Sequence, residues 1–350
     1  MKKDKILMSG NEAIAEGAIQ AGCVFYAGYP ITPQNEIIAY FARRMPDMNR
    51  VFIQAESELA AINMVFGASA TGARAMTSSS SPGISLKQEG ISYIAGAELP
   101  SVIVNIQRAG PGLGNIWPAQ SDYFQATRGG GNGNYRVIVL APASVQECYD
   151  LMFDAFNLAD KYRNPVMVLG DGLLGQMMEP LEVNSQKSKA KVYDKPWALT
   201  GCKGREPNIT KSFYMVEGDL EESNLRQQEK YKTIQEKEPL WEELFTDDAR
   251  IILVAYGSMS RIARGAMNKL RRQGKKIGLI RPITLWPFPA QAFSRSAASK
   301  TKYLVIEMSY GQMLEDVLLT VNGNSPVEFY GRSGGGVPTE EQIIAKIGQL

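Results

Sequence analysis

Along the first half of the chain, short continuous apolar runs alternate with segments whose apolar residues recur every three or four positions. "CVFYAG", "VFIQ", "ARAMTSS", "PSVIVNIQ", "YRVIVLAPA" and "NPVMVLGDG" are the runs, and they read as strands. "SGNEAIAEGAIQAG", "TPQNEIIAYFARRM", "SELAAINMVFGASATG", "GISLKQEGISYIAGAE" and the stretch from about Val145 to Asp160 carry the helical period. Ser9 or Asn11 can cap the first helix and Gly22 stops it. Strands that are apolar throughout, each followed by a helix, predict a parallel sheet covered on both faces.

The pattern breaks from 177 to 249. "EVNSQKSKAKVYDKPW" is polar, and "VEGDLEESNLRQQEKYKTIQEKEPLWEELFTDD" is charged with sparse apolar residues. This stretch predicts an exposed helical connector or a lid. Alternation then resumes with the strands "ARIILVAYGS", "KKIGLIRP", "KYLVIEMS" and "PVEFYG", and "PTEEQIIAKIGQL" closes the chain as a helix near Thr339 and Glu341. Two parallel α/β domains, residues 1–176 and 250–350, joined by a charged connector, 177–249, are therefore expected, and 350 residues suit two cores.

Composition narrows the chemistry. Apolar residues make up 44% and charged residues 21%, with a net charge of +2. Nothing in that balance favours nucleic acid or an anionic membrane. No run approaches the ~18 apolar residues of a membrane span, and the basic start is not followed by an apolar segment. A cytoplasmic globular protein is expected. There is no histidine, which removes Ser-His-Asp and Cys-His catalysis and His-ligated zinc. Cys23, Cys148 and Cys202 are far apart and too few for an iron–sulfur cluster, so buried reduced thiols are expected.

In open parallel sheets ligands bind beyond the carboxyl ends of the strands. There the chain reads "AGYPITP", "QAESE", "TSSSSPG", "QRAGPGLGN" and "GDGLLG". Thr32 sits between two prolines, as a fixed hydroxyl or a helix cap. The serine run offers hydroxyls for an anion or for capping. Arg108 follows the strongest strand. "GDG" opens a magnesium–diphosphate motif, but Asn184 comes too soon after it, so a turn is expected. Glu56 and Glu58 stand at the mouth of a strand before an apolar helix. They are either dipole-complementing acids or a desolvated carboxyl able to share a proton.

Taken together, "GNEAIAEGAIQAG", "GYPITP", "QAESELAAINMVFGAS", "SSPG" and "GRSGGGVPTEEQI" resemble the alpha subunit of 2-oxoacid:ferredoxin oxidoreductases over nearly the whole chain. "RAGPGLGN" and "PAQSDYFQATRGGG" look most like the branched-chain (2-oxoisovalerate) type. The resemblance implies a thiamine-diphosphate pyrimidine-binding-like domain followed by a transketolase C-terminal-like domain. It implies oxidative decarboxylation of a 2-oxoacid, with the acyl group passed to coenzyme A and electrons to ferredoxin.

In such enzymes a sheltered glutamate hydrogen-bonds the cofactor's pyrimidine nitrogen and drives its imino tautomer. Spacing to "SSPG" aligns that glutamate with Glu58 rather than Glu56. Arg108 would bind the substrate carboxylate, and Thr32 its carboxylate or carbonyl. Thiamine diphosphate would be shared with a beta subunit, which would carry Mg2+ and an iron–sulfur cluster, and a gamma or ferredoxin-like subunit would often join. Ile116, Trp117 or Phe124 could line an apolar pocket for a branched substrate, whereas Arg128 or Lys87 could supply the extra cation that 2-oxoglutarate needs. Two rivals stand beside this reading: a self-contained dinucleotide-binding oxidoreductase and a non-catalytic assembly subunit.

Overall fold

The structure is a computed structural model, and it describes residues 5–183, 189–294 and 301–350. Its strands, in chain order, are β1 (Lys5–Ser9), β2 (Phe25–Gly28), β3 (Val51–Gln54), β4 (Ala75–Ser79), β5 (Ser101–Gln107), β6 (Ile138–Leu140), β7 (Pro165–Asp171), β8 (Met178–Glu182), β9 (Trp241–Leu244), β10 (Ile251–Val254), β11 (Ile277–Pro282), β12 (Thr284–Trp286), β13 (Lys302–Glu307) and β14 (Val327–Gly331).

Six of them form the expected parallel sheet, in the order β6-β7-β5-β4-β2-β3. β4, β5 and β7 are buried at every position, with apolar residues at most of them and the polar ones, such as Ser78, Ser79 and Asn105, gathered toward their carboxyl ends. Helices on both faces start where short polar side chains can cap them. Ser9, Ser57 and Ser144 each accept a backbone N–H, and Ser9 forms a reciprocal capping box with Glu12. β2 and β4 are neighbours, yet the chain leaves β2 toward β3 and leaves β4 toward β5. Their carboxyl ends therefore flank the crevice where open sheets bind ligands.

The second sheet runs β14-β13-β10-β11-β9, parallel except for β9. Three pairings were not evident from the sequence. β1 pairs antiparallel with β8. β9 lies inside the charged stretch, yet it closes the second sheet. β12 leaves the second domain and pairs antiparallel with β6, adding a seventh strand to the first sheet. β9 and β12 are only four and three residues long, too short to show a period.

Side chains stitch the domains further. Arg281 forms a bidentate pair with Glu147 at 2.8 Å on both arms and reaches Glu242 at 2.9 Å. Tyr123 donates to Asp316 at 2.6 Å. Gln120 donates to the carbonyl of Tyr256 and accepts from Met308 N. The stretch "PAQSDYF" thus welds the two sheets through a common core that includes Tyr123, Tyr256, Trp286 and Val305.

The charged stretch does form a helix, Asp219–Lys237. Lys230 meets Glu98 at 3.0 Å and Gln228 meets the carbonyl of Asn134. Before it, Leu199 N bonds the carbonyl of Ala70 and Lys195 that of Gly72. All of these contacts lie where β4, β5, β6 and β7 begin. The helix therefore covers the edge of the sheet opposite the crevice and is not placed to act as a lid over it. Residues 184–188 of the polar stretch, Asn184 among them, lie outside the described residues.

Candidate active site

The run Thr77–Gly83 organises the crevice, and it does so with its own hydroxyls. Side chains alternate across a strand, so consecutive serines face opposite ways. Ser78 accepts from Tyr26 and donates to Gln34 Oε1, both at 2.6 Å, which fixes the turn after β2. Ser79 donates to Glu58 Oε1 at 3.2 Å. Ser81 donates to Asp122 at 2.6 Å and accepts from the backbone N–H of Arg108 at 3.0 Å. Three loops are thereby pinned to one another. These three serines are committed to protein partners, whereas the hydroxyls of Thr77 and Ser80 are buried without a partner among the described residues, and Ser80, at the N-cap of the helix Ser81–Gly96, makes no side-chain capping bond.

Glu58 begins the helix Glu58–Ala70, whose Ser57 cap accepts from Ala60 N at 3.2 Å. Glu58 is 5% exposed, whereas Glu56 is exposed to solvent. Of the two acids left open by the sequence, Glu58 is the buried one. Gly83 presses against it: a Cβ at residue 83 would lie 2.3 Å from Glu58 Oε1 and 2.0 Å from Ser79 Oγ. Gly83→Ala should therefore displace the carboxylate and lower any activity that depends on Glu58 by about tenfold while the fold survives, since only one small group must be accommodated. Steady-state kinetics together with a thermal melt checks this.

Arg108 extends β5 and is 7% exposed. Its guanidinium donates to the carbonyl of Thr32 at 3.1 Å and to that of Leu113 at 3.0 Å. It thus clamps the "YPITP" turn to the glycine-rich loop. Its Nε–H is buried and has no partner among the described residues. The Thr32 side chain is exposed and makes one long contact, from Asn35 at 3.4 Å, and the N-cap position of the helix behind it is Gln34, which makes no side-chain capping bond. Thr32 is therefore not the helix cap. Asp122 is held by Ser81 and by Asn105 at 2.9 Å, and burial raises its carboxyl above the ordinary range against those bonds. Sequence reading passed Asp122 over, because one acid in a polar loop carries no periodic signal.

Next to Thr32 opens a cavity of about 880 Å³, lined by Glu36, Ile116, Trp117, Leu173 and, from the second domain, Gly335 and Val337. Asn115 donates to the carbonyl of Gly334 at 3.1 Å. Gly335 abuts Trp117 so closely that a Cβ there would lie 2.7 Å from the Trp117 Cβ. The second domain thus forms one wall.

Ile116 and Trp117 line the cavity as expected, and Phe124 does not. The Phe124 ring lies under Arg128 and its N–H donates to Gln312. Arg128 is paired with Asp316 at 2.9 Å, and Lys87 is fully buried, so neither offers a cation to this cavity. Asp171 of "GDG" caps the short helix Gly172–Gln176 and accepts from Ser258 at 2.6 Å, a turn that also joins the domains. Cys23 and Cys148 are buried, and burial pushes the Cys23 thiol up to about 12. Cys202, expected to be buried, is exposed in the irregular stretch.

A family profile described as "Pyruvate flavodoxin/ferredoxin oxidoreductase, thiamine diP-bdg" matches residues 16–240, and "Pyruvate:ferredoxin oxidoreductase core domain II" matches residues 249–343. The chain is 51% identical to the ketoisovalerate oxidoreductase subunit VorB of Methanothermobacter marburgensis, over 98% of this chain and 97% of that one. It belongs to the alpha-type subunits of the 2-oxoacid:ferredoxin oxidoreductases.

A solved member of the family, 2-oxoglutarate:ferredoxin oxidoreductase from Magnetococcus marinus with 2-oxoglutarate, coenzyme A and succinyl-CoA bound, superimposes with a TM-score of 0.89 at 29% identity. The match covers 99% of this chain and 65% of that one, so this chain spans just under two-thirds of that protein. A split-gene transketolase, described as an inactive beta4 tetramer, shares the fold at a TM-score of 0.59 and 13% identity, over 98% of this chain and 97% of that one. The two-domain α/β architecture and the thiamine-diphosphate-binding character of the first domain therefore stand. The family makes the chain a subunit of an oxidoreductase that needs partner subunits.

Proposed function

We propose that this chain is the alpha-type subunit of a 2-oxoisovalerate:ferredoxin oxidoreductase. In this reading it supplies the activating glutamate of a shared thiamine-diphosphate site and the grip on the 2-oxoacid. The observation that carries the reading is Glu58, a sheltered carboxylate at a helix start, with a glycine where any side chain would strike it. That cradle fits an aminopyrimidine edge, which needs a carboxyl at hydrogen-bonding reach and no bulk beside it. When bound, thiamine diphosphate would supply the electron sink for decarboxylation.

The chain's own residues then have separate tasks. Glu58 holds or yields a proton at Oε, in surroundings dry enough to strengthen that bond. Arg108, through its unpartnered Nε–H, and Thr32, through its exposed hydroxyl, would bind the substrate carboxylate or carbonyl. The rest of the binding site falls to a beta subunit carrying Mg2+ and an iron–sulfur cluster. A gamma or ferredoxin-like subunit would lead electrons on to ferredoxin, with coenzyme A as acyl acceptor and the cytoplasm as the compartment. Among the described residues no helix is long and apolar enough to cross a membrane.

A branched apolar substrate is favoured over 2-oxoglutarate by the cavity beside Thr32. Its lining has apolar Ile116, Trp117 and Val337 but no lysine or arginine, and its one charged residue is the acid Glu36. A second carboxylate would be desolvated there without a partner.

Purification of the complex through a tag on this chain, followed by 2-oxoacid- and coenzyme A-dependent reduction of a viologen dye, tests the proposal. Activity with 2-oxoisovalerate exceeding that with 2-oxoglutarate is the expected result, and a tightly held nicotinamide or flavin without such activity would refute it. Trp117→Ala should change the 2-oxoisovalerate/2-oxoglutarate rate ratio by roughly tenfold, and Phe124→Leu should leave it alone, because one aromatic wall is worth about 1–3 kcal/mol of discrimination.

A further inference from the structure

Lys87 takes no part in the proposed chemistry, yet it is a lysine buried inside the first domain. It is 0% exposed, and its Nζ has no hydrogen-bond partner among the described residues. A buried ammonium without a partner is costly and seldom kept without a reason. Lys87 lies one turn after Gly83 on the helix Ser81–Gly96, and long helical side chains lean back toward the N-terminus over the residue four earlier. Gly83 lies against the Glu58 carboxylate.

The surrounding charges single out one partner. From the facing helix, Glu58 is the charged group whose field acts on Lys87. Asp122 meets the start of the Lys87 helix through Ser81, as does the backbone of Arg108. Tyr135 meets the helix on another side, through Gln88. Lys87 and Glu58 form no ion pair, so the coupling acts through space.

We propose that Lys87 is a positioning residue that acts through Glu58: as Glu58 gains a proton Lys87 loses one, and the buried pair keeps a constant total charge. This rests on Glu58 being the activating glutamate. A carboxylate that must become protonated in a dry site would otherwise leave a lone buried ammonium behind it. With Lys87 releasing its proton, only an O–H forms and an N–H breaks, and no net charge enters the low-dielectric crevice. Burial lowers Lys87 to about 8 against the pull of Glu58, so the proton is available near neutral pH.

The test is the proton inventory of thiamine diphosphate binding to the assembled complex freed of cofactor. Calorimetry in buffers of different ionisation enthalpy measures it. Comparing wild type with Lys87→Met cancels the contributions of diphosphate and magnesium. Below pH 8 the variant should take up about one more proton per site than wild type, because its Glu58 must be protonated from solvent.

In wild type the uptake should rise by about one proton as pH passes through the region where Lys87 becomes neutral, a result that needs no variant to fold. Equal uptake in wild type and Lys87→Met, or a flat wild-type profile, overturns the proposal. Glu58→Gln separates the underlying reading. An inactive Glu58→Gln with unchanged proton inventories sinks only the role of Lys87, whereas a fully active Glu58→Gln sinks the glutamate assignment itself.

Discussion

Glu58→Gln should lower kcat of the assembled complex by about 10²–10⁴-fold, the range expected when an acid–base group is lost. The amide matches the carboxyl in size, so Gly83 still has room and Ser79 still finds an oxygen acceptor. What disappears is a group that can gain and lose a proton. KM for the 2-oxoacid should move little, because its carboxylate is assigned to Arg108 and Thr32, on two other loops. Glu56→Gln is the control: Glu56 is exposed, so its amide should leave the rate unchanged. Viologen reduction alongside gel filtration distinguishes lost chemistry from lost assembly, and a Glu58→Gln complex with near wild-type kcat would remove Glu58 from the mechanism.

Why Glu58 was readable from the sequence, and why its surroundings were not, has a physical basis. The alternation of apolar runs and helical periods is a local signal, and it led to both parallel sheets. The position of the ligand crevice follows from topology, since loops after parallel strands gather at one edge. The choice between Glu56 and Glu58 is different. It depends on which acid is the first residue of a capped helix and faces Gly83, a contact across 25 positions of chain. Spacing to a known motif suggested Glu58, and burial supplies the physical distinction.

Which partner each serine of the run takes could not be read from one dimension. Ser78, Ser79 and Ser81 look equivalent in sequence, yet each is taken by a different loop. The same limit hid β12, whose three residues are strand only because β6 offers an edge. It also hid the state of Lys87, which resembles any helical lysine until the packing around it is known.

The weld between the domains bears on the site. Gly335 and Val337 close one wall of the cavity beside Thr32, and their loop hangs from the second sheet. β12, the Arg281–Glu147 pair and the Gln120 bonds hold that sheet against the first. In the proposed reading, the substrate-binding groups of the first domain thus keep a fixed distance from a wall on the second, without cost at the moment of binding.

Arg108→Ala is the complementary experiment, and its effect should fall on substrate capture. Losing one side of a buried charged contact costs about 3 kcal/mol, or roughly 150-fold in kcat/KM for 2-oxoisovalerate. Thiamine diphosphate affinity should be nearly unchanged, because Glu58 and Gly83 are untouched. Arg108→Lys should recover only a small part of the loss. A lysine retains one charge but cannot hold the carbonyls of Thr32 and Leu113 and still present a free N–H in a fixed plane. Those two bonds fix the plane of the guanidinium, and in the proposed reading the same group clamps the loops and binds the substrate. A rate defect that excess 2-oxoacid partly overcomes in Arg108→Ala, but not in Glu58→Gln, would separate the grip on the substrate from the activation of the cofactor.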